Sequence, residues 1–271
     1  MRRLCFILIF LCLNLCSNVA LSQIQSKIPF YIPVNSNDYP KLKHKLDAAL
    51  FKVGLGQFAT QTTDYWHTYR QGIKQGRIGV YLAAPHFVAW VTNKHNFTPL
   101  LKLESNAQYV LASRSTDINL FEVDDLNNRP VCTQSSLNLD FILVNQAFTN
   151  PLYSAQVKIV SDVAKEINRD NKDCHAFSIA NHLFIKHNLA HPESLIRLQQ
   201  GPSWPPYAWV LHPELDSHKQ VLIKFLRSET ALEILSPIIQ TFSEGNRILN
   251  TIKEDYPAKV TKPLDKYWVN E

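Results

Sequence analysis

The 271-residue chain is 45% apolar and 19% charged, which excludes an intrinsically disordered polymer. Fifteen prolines against seven glycines exclude collagen-like and glycine-linker architectures and leave little room for glycine-rich phosphate loops. A formal net charge of +5 is a mild lean toward anionic partners, far short of a nucleic-acid-binding balance, so no nucleic-acid partner is expected.

The first 23 residues read as an export signal. Arg2 and Arg3 precede an almost unbroken apolar run at 4–15, too short to span a bilayer comfortably. Ala20 and Ser22 supply small residues at positions −3 and −1, which places cleavage before Gln23. Retention of the segment as an anchor is the alternative, as is lipid attachment at Cys16, although Cys16 follows Leu15 where a small residue is needed. No later stretch is apolar for about 18 residues, so the mature chain is expected to be soluble. Cys5, Cys12 and Cys16 leave with the signal, and Cys132 and Cys174 remain. Two cysteines in an oxidising compartment invite one disulfide, with two buried free thiols as the alternative.

The mature sequence alternates strand and helix patterns, which predicts α/β layering. Residues 27–34 (KIPFYIPV) read as a first strand. A helix follows with Leu42, Leu46, Leu50 and Val53 on one face, closed by Gly54 and Gly56. Residues 58–62 form a second strand, and Thr63-Asp64 is an N-cap signal for a helix over 65–73. The third strand, 78–83 (IGVYLA), has the composition of one buried on both faces. Pro85 opens the next helix, where proline suits a first turn. Strands are expected at 100–103 and 109–113.

A second unit is predicted to begin near Ser115, with a polar connection at 117–129. Its strands are 130–133, 156–160, 174–179 and 195–199. Ser135 or Ser136 caps a helix carrying Leu139, Ile142, Leu143 and Phe148. Ser161-Asp162 caps another over 163–168, and a third runs through His187. Gly201-Pro202-Ser203-Trp204-Pro205-Pro206 is the strongest linker signal in the chain. Beyond it come a strand at 207–211 and helices at 213–228 and 230–242. The expected fold is therefore α/β and two-lobed. Lobe one takes 24–114 and 206–271, lobe two takes 115–205, and the chain crosses between them twice. A ligand site is expected in the cleft, at the C-terminal ends of strands.

Residues 66–104, WHTYRQGIKQGRIGVYLAAPHFVAWVTNKHNFTPLLKLE, carry a helix, a glycine turn, a buried strand, then Ala84-Pro85-His86-Phe87. This segment resembles the phosphonate/phosphate-type periplasmic substrate-binding proteins of ABC transporters. VCTQSSLNLDFILVNQAFTNP (131–151) and CHAFSIANHLF (174–184) resemble their second-lobe junctions, and PPYAWVLHPELDSHKQVLIKFLRS (205–228) their return to lobe one. The resemblance implies a periplasmic protein with two mixed sheets flanked by helices. It would close on a small anionic solute of phosphate or phosphonate type and serve an ABC permease or a membrane sensor, as a monomer without a cofactor.

By position, the candidate ligand contacts are Tyr65 and Trp66, then Pro85, His86 and Phe87. On lobe two they are Thr133, Gln134, Ser135 and Ser136, then Asn181 and His182. Helix N-termini offer N–H groups and partial positive charge to an oxyanion, and hydroxyls add neutral donors. The 134–138 segment has no glycine where phosphate-binding members usually present a Ser/Thr-Gly-type turn. A sensor or interaction protein of the same fold is the alternative reading. An exported enzyme is a weaker one, because no HExxH, paired-cysteine metal site or G-x-S-x-G elbow occurs. His187 and His191 are four apart, but Pro192 follows and breaks the pattern.

Overall fold

The computed structural model describes residues 27–261 apart from 35, 38, 64–65, 135–138, 161–162 and 170–172; at 66, 67 and 164 it describes the backbone alone. The strands form two separate sheets. The first contains β1 (Ile28–Ile32), β2 (Phe58–Thr62), β3 (Val80–Ala83), β4 (Thr98–Leu103), β10 (Ala208–Leu211) and β11 (Ile248–Asn250), in the order β11-β4-β10-β3-β1-β2. The second contains β5 (Tyr109–Arg114), β6 (Pro130–Thr133), β7 (Gln156–Ile159), β8 (Ala176–Ala180) and β9 (Leu195–Gln200), in the order β7-β6-β8-β5-β9. Both sheets are mixed. β1, β2 and β3 run parallel, as do β6, β7 and β8, while β10 and β5 run antiparallel to their neighbours.

Helices cover the sheets. They are α1 (Leu42–Lys52), α2 (Trp66–Gln75), α3 (Pro85–Lys94), α4 (Leu139–Gln146), α5 (Val163–Ile167), α6 (Asn181–Ala190), α7 (Lys219–Leu226) and α8 (Glu229–Phe242). Residue choice explains the layering. β3 (VYLA) and β10 (AWVL) are buried at every position, as strands covered on both faces must be. In α1, Leu42, Leu46, Ala49 and Leu50 form the inner stripe. Val53 was expected on that stripe but is the exposed C-cap residue. Gly54, at φ +80°, already turns the chain left-handed behind it. The helix predicted over 213–228 divides at its start. A 3-10 turn, Pro213–His218, is fixed by the Glu214 N–H donating to His212 Nδ1, and α7 follows. Ser228 caps α8 by accepting the Ala231 N–H at 3.2 Å. The three-residue β11 was not expected.

The chain leaves the first sheet after β4 and returns to it at β10. Where it crosses, Ala107 and Trp204 exchange backbone hydrogen bonds of 3.1 and 2.8 Å, so the two crossings are tied to each other. Beside them the Tyr109 and Tyr207 hydroxyls lie 3.1 Å apart. The first crossing comes earlier than expected. Residues 109–114 were placed with lobe one, yet β5 sits inside the second sheet, with Tyr109 opposite Ala180 and Arg114 opposite Leu195. Its run Val110-Leu111-Ala112 identifies a strand, but an apolar run does not say which sheet will take it. Cys132 at the end region of β6 and Cys174 just before β8 are joined as a disulfide, with Cα atoms 5.6 Å apart. Among the described residues, no helix is long and apolar enough to cross a membrane.

Candidate functional site

Two junctions repeat one pattern. In the first lobe β3 ends at Ala83, and Ala84-Pro85-His86-Phe87 opens α3. In the second, β8 ends at Ala180, and Asn181-His182-Leu183 opens α6. Each helix has ten residues, and each has alanine at its N-cap, which supplies no side-chain cap. Pro85 occupies the first helical position, where the missing N–H costs no hydrogen bond. Both junctions lie at C-terminal ends of parallel strands, one on each sheet. A helix N-terminus so placed turns its first-turn N–H groups and positive dipole end outward from the strand ends.

The predicted contacts are distributed unevenly around these ends. Pro85, His86 and Phe87 are buried. The His86 ring lies 4.1 Å from that of Phe87, centroid to centroid. Phe87 meets Tyr69 edge-on at 6.2 Å, and Tyr69 also packs on Tyr31 and Tyr81, so an aromatic cluster backs α3. Burial pushes the Tyr69 phenol well above its ordinary pKa, and its hydroxyl donates to the Leu82 carbonyl at 2.8 Å. Trp66 is the first residue of α2. Tyr65, Ser135 and Ser136 lie outside the described residues.

On the second lobe, Thr133 ends β6 and is fully buried. Gln134 is exposed, but its N–H donates to Asp140 Oδ2 at 2.8 Å. Asp140 is 1% exposed, and its backbone carbonyl accepts the Ser178 hydroxyl at 2.9 Å. One backbone donor expected to face a ligand is therefore held by the protein's own carboxylate. The Asn181 N–H donates to the Gln108 carbonyl at 2.8 Å, which ties the start of α6 to the first crossing. Its side-chain oxygen accepts from Arg197 at 3.2 Å. His182 Nε2 meets the Gln240 carbonyl of α8 at 3.1 Å, so this ring spans from the second lobe to the first. Burial lowers the His182 pKa, and the bond to Gln240 and the charge of Glu244 oppose that shift.

Two residues were missed. Asp140 reads in the sequence as an ordinary acid in a helix first turn, and nothing local marks it as buried. Thr63 was read only as part of a capping pair. It follows β2 and is 2% exposed, and its hydroxyl has no hydrogen-bond partner among the described residues. Its place at a strand's C-terminal end was the available signal. Two open depressions, of about 590 and 250 Å³, flank α8. One is lined by Arg227, Glu229 and Ser236, the other by Tyr39, Lys45 and Pro237, and neither includes a predicted contact.

By sequence, no family model and no curated protein matches the chain. By structure, it is similar to a binding protein component of an ABC phosphonate transporter from Pseudomonas aeruginosa, at 11% identity and a TM-score of 0.62, covering 90% of this chain and 85% of that one. It is also similar to PhnD1 from Prochlorococcus marinus in complex with methylphosphonate, at 13% identity and a TM-score of 0.64, covering 89% and 98%. The periplasmic aliphatic sulphonate binding protein SsuA from Escherichia coli aligns at 13% identity and a TM-score of 0.53, covering 90% and 88%. The chain thus has the two-lobed fold of periplasmic binding proteins, with two mixed sheets flanked by helices.

Proposed function

We propose that this chain is an exported solute-binding protein that closes on a small anion of phosphate or phosphonate type for an ABC permease. The observation that carries the reading is the pair of helix N-termini at α3 and α6, one on each lobe, each at the C-terminal end of a parallel strand and each with alanine at its N-cap. An oxyanion between two such ends gains hydrogen bonds from both, and closure about the crossings removes the water that would screen them. Structures of this fold whose names record phosphonate or sulphonate binding support the ligand class. The proposed contacts are Tyr65, Trp66, Pro85, His86 and Phe87 on lobe one and Thr133, Gln134, Ser135, Ser136, Asn181 and His182 on lobe two, with the Thr63 hydroxyl added as a buried donor in need of an acceptor.

A second reading, an interaction or sensor protein of the same fold, is favoured by one observation. Leu139 and Ile142 of α4 are buried in the apolar cluster of the first lobe, beside the Asp140 carboxylate that already holds a backbone amide. The protein's own groups thus occupy part of the lobe-two side.

Thermal unfolding of the mature chain with phosphate, phosphite, methylphosphonate and methanesulfonate separates the two. A true ligand at 100 times its dissociation constant adds about 2.7 kcal/mol of stability. Stabilisation by one of these anions, saturating at one site, is the expected result. No shift with any of them overturns the anion-binding reading and leaves the second.

A further inference from the structure

Helix α6 closes on two histidines that the cleft does not use. Pro192, directly after the pair, marks a break of the segment there, and the helix does end at Ala190 with His191 as its C-cap. Up to that break the His191 N–H donates to the His187 carbonyl at 2.8 Å, so the i, i+4 hydrogen bond is kept at the cap. The two ring centroids lie 5.1 Å apart, with the ring planes tilted 47° to one another. A metal bound to an imidazole nitrogen sits about 3.2 Å from the ring centroid, so ligand angles between square-planar and tetrahedral place two centroids about 4.5–5.2 Å apart. The observed pair lies inside that range.

We propose that His187 and His191 chelate one divalent late first-row cation, with Cu²⁺ held more tightly than Zn²⁺, at the C-terminal end of α6. Two further features agree. Neither ring hydrogen-bonds a described residue, whereas His95, His175, His182, His212 and His218 are each engaged. The helix C-terminus also presents its negative dipole end to the cation, against the opposing charge of Lys186 one residue before. Two imidazoles supply two of the coordination positions, and water fills the rest. Nitrogen ligands in a tetragonal arrangement suit Cu²⁺, and the general order of divalent affinities places it first.

The test is calorimetric titration of the mature chain with CuCl₂ at neutral pH in a non-coordinating buffer. One equivalent is expected to bind, with affinity falling roughly tenfold or more in both His187→Ala and His191→Ala, because each removes one of two ligands. His44→Ala, an exposed histidine on α1, is expected to bind as the unaltered chain does. Melting temperatures report folding of each variant. Absence of copper binding, or unchanged affinity in either His187→Ala or His191→Ala, overturns the site.

Discussion

Thr63 shows how one side chain can separate a stability role from a binding role. Its buried hydroxyl has no partner among the described residues, so Thr63→Val should leave thermal stability unchanged or slightly raised. The same substitution should weaken anion affinity by about 1 kcal/mol, the worth of one hydrogen bond. Equal anion affinity in the variant would remove Thr63 from the site. His182 makes a pH prediction. Its folded pKa is lowered, so the native state binds fewer protons than the unfolded chain once pH drops below about 6.5. Its contribution to stability is present above that value and lost as pH falls, and the lowered pKa values of His187 and His212 act in the same direction. Melting curves from pH 8 to pH 5 should fall on the acid side, and His182→Gln should flatten part of that fall. A profile identical to that of the unaltered chain would contradict the coupling. The cysteine pair was legible because reading residues 1–23 as an export signal sets three of the five thiols aside. The Asp140 carboxylate was not, because burial of a helix-start acid depends on what later packs over it.

At the scale of elements, strands buried on both faces were the most legible. β3 and β10 are continuous apolar runs, and a strand has few other ways to accommodate them. The lobe of β5 was not legible. The stretch between β4 and β5 holds neither glycine nor proline, so nothing in the sequence punctuates the first crossing, whereas Gly201 and three prolines mark the second. β11 is only three residues long and carries no period that could be counted. Within the second lobe, the disulfide ties β6 to the segment entering β8. The paired residues are 42 apart in sequence, and closing a loop of that size restrains the unfolded chain by about 4 kcal/mol. Reduction, or replacement of both cysteines by alanine, should lower the melting temperature clearly. An unchanged melt in reductant would show that the bridge contributes nothing. The α4 start carries its own test. Asp140→Ala leaves the Gln134 N–H without its acceptor and should cost about 1–3 kcal/mol, while Asp140→Asn, which keeps an oxygen acceptor, should cost less. Equal losses in the two variants would mean that the amide contact is not what holds the turn.

For the whole molecule, the alternation of strands and helices was enough to indicate two α/β lobes, because each set of parallel strands needs helical crossovers to connect it. The site was legible in part. The strand end at Ala83 was found because Pro85 opens a helix just behind it, and the second strand end was placed at Ile179, one residue short of Ala180. The Gln134 contact with Asp140 was not found, since it is a tertiary arrangement of a short turn. The central claim is that one anion draws on both lobes at once, and amide hydrogen exchange of the mature chain with and without saturating methylphosphonate tests it most directly. The account predicts simultaneous slowing at 80–90 and at 176–186, the strand ends and first turns of β3–α3 and β8–α6. Slowing confined to one of these segments, slowing only along the α8 depressions, or no slowing at all would contradict it.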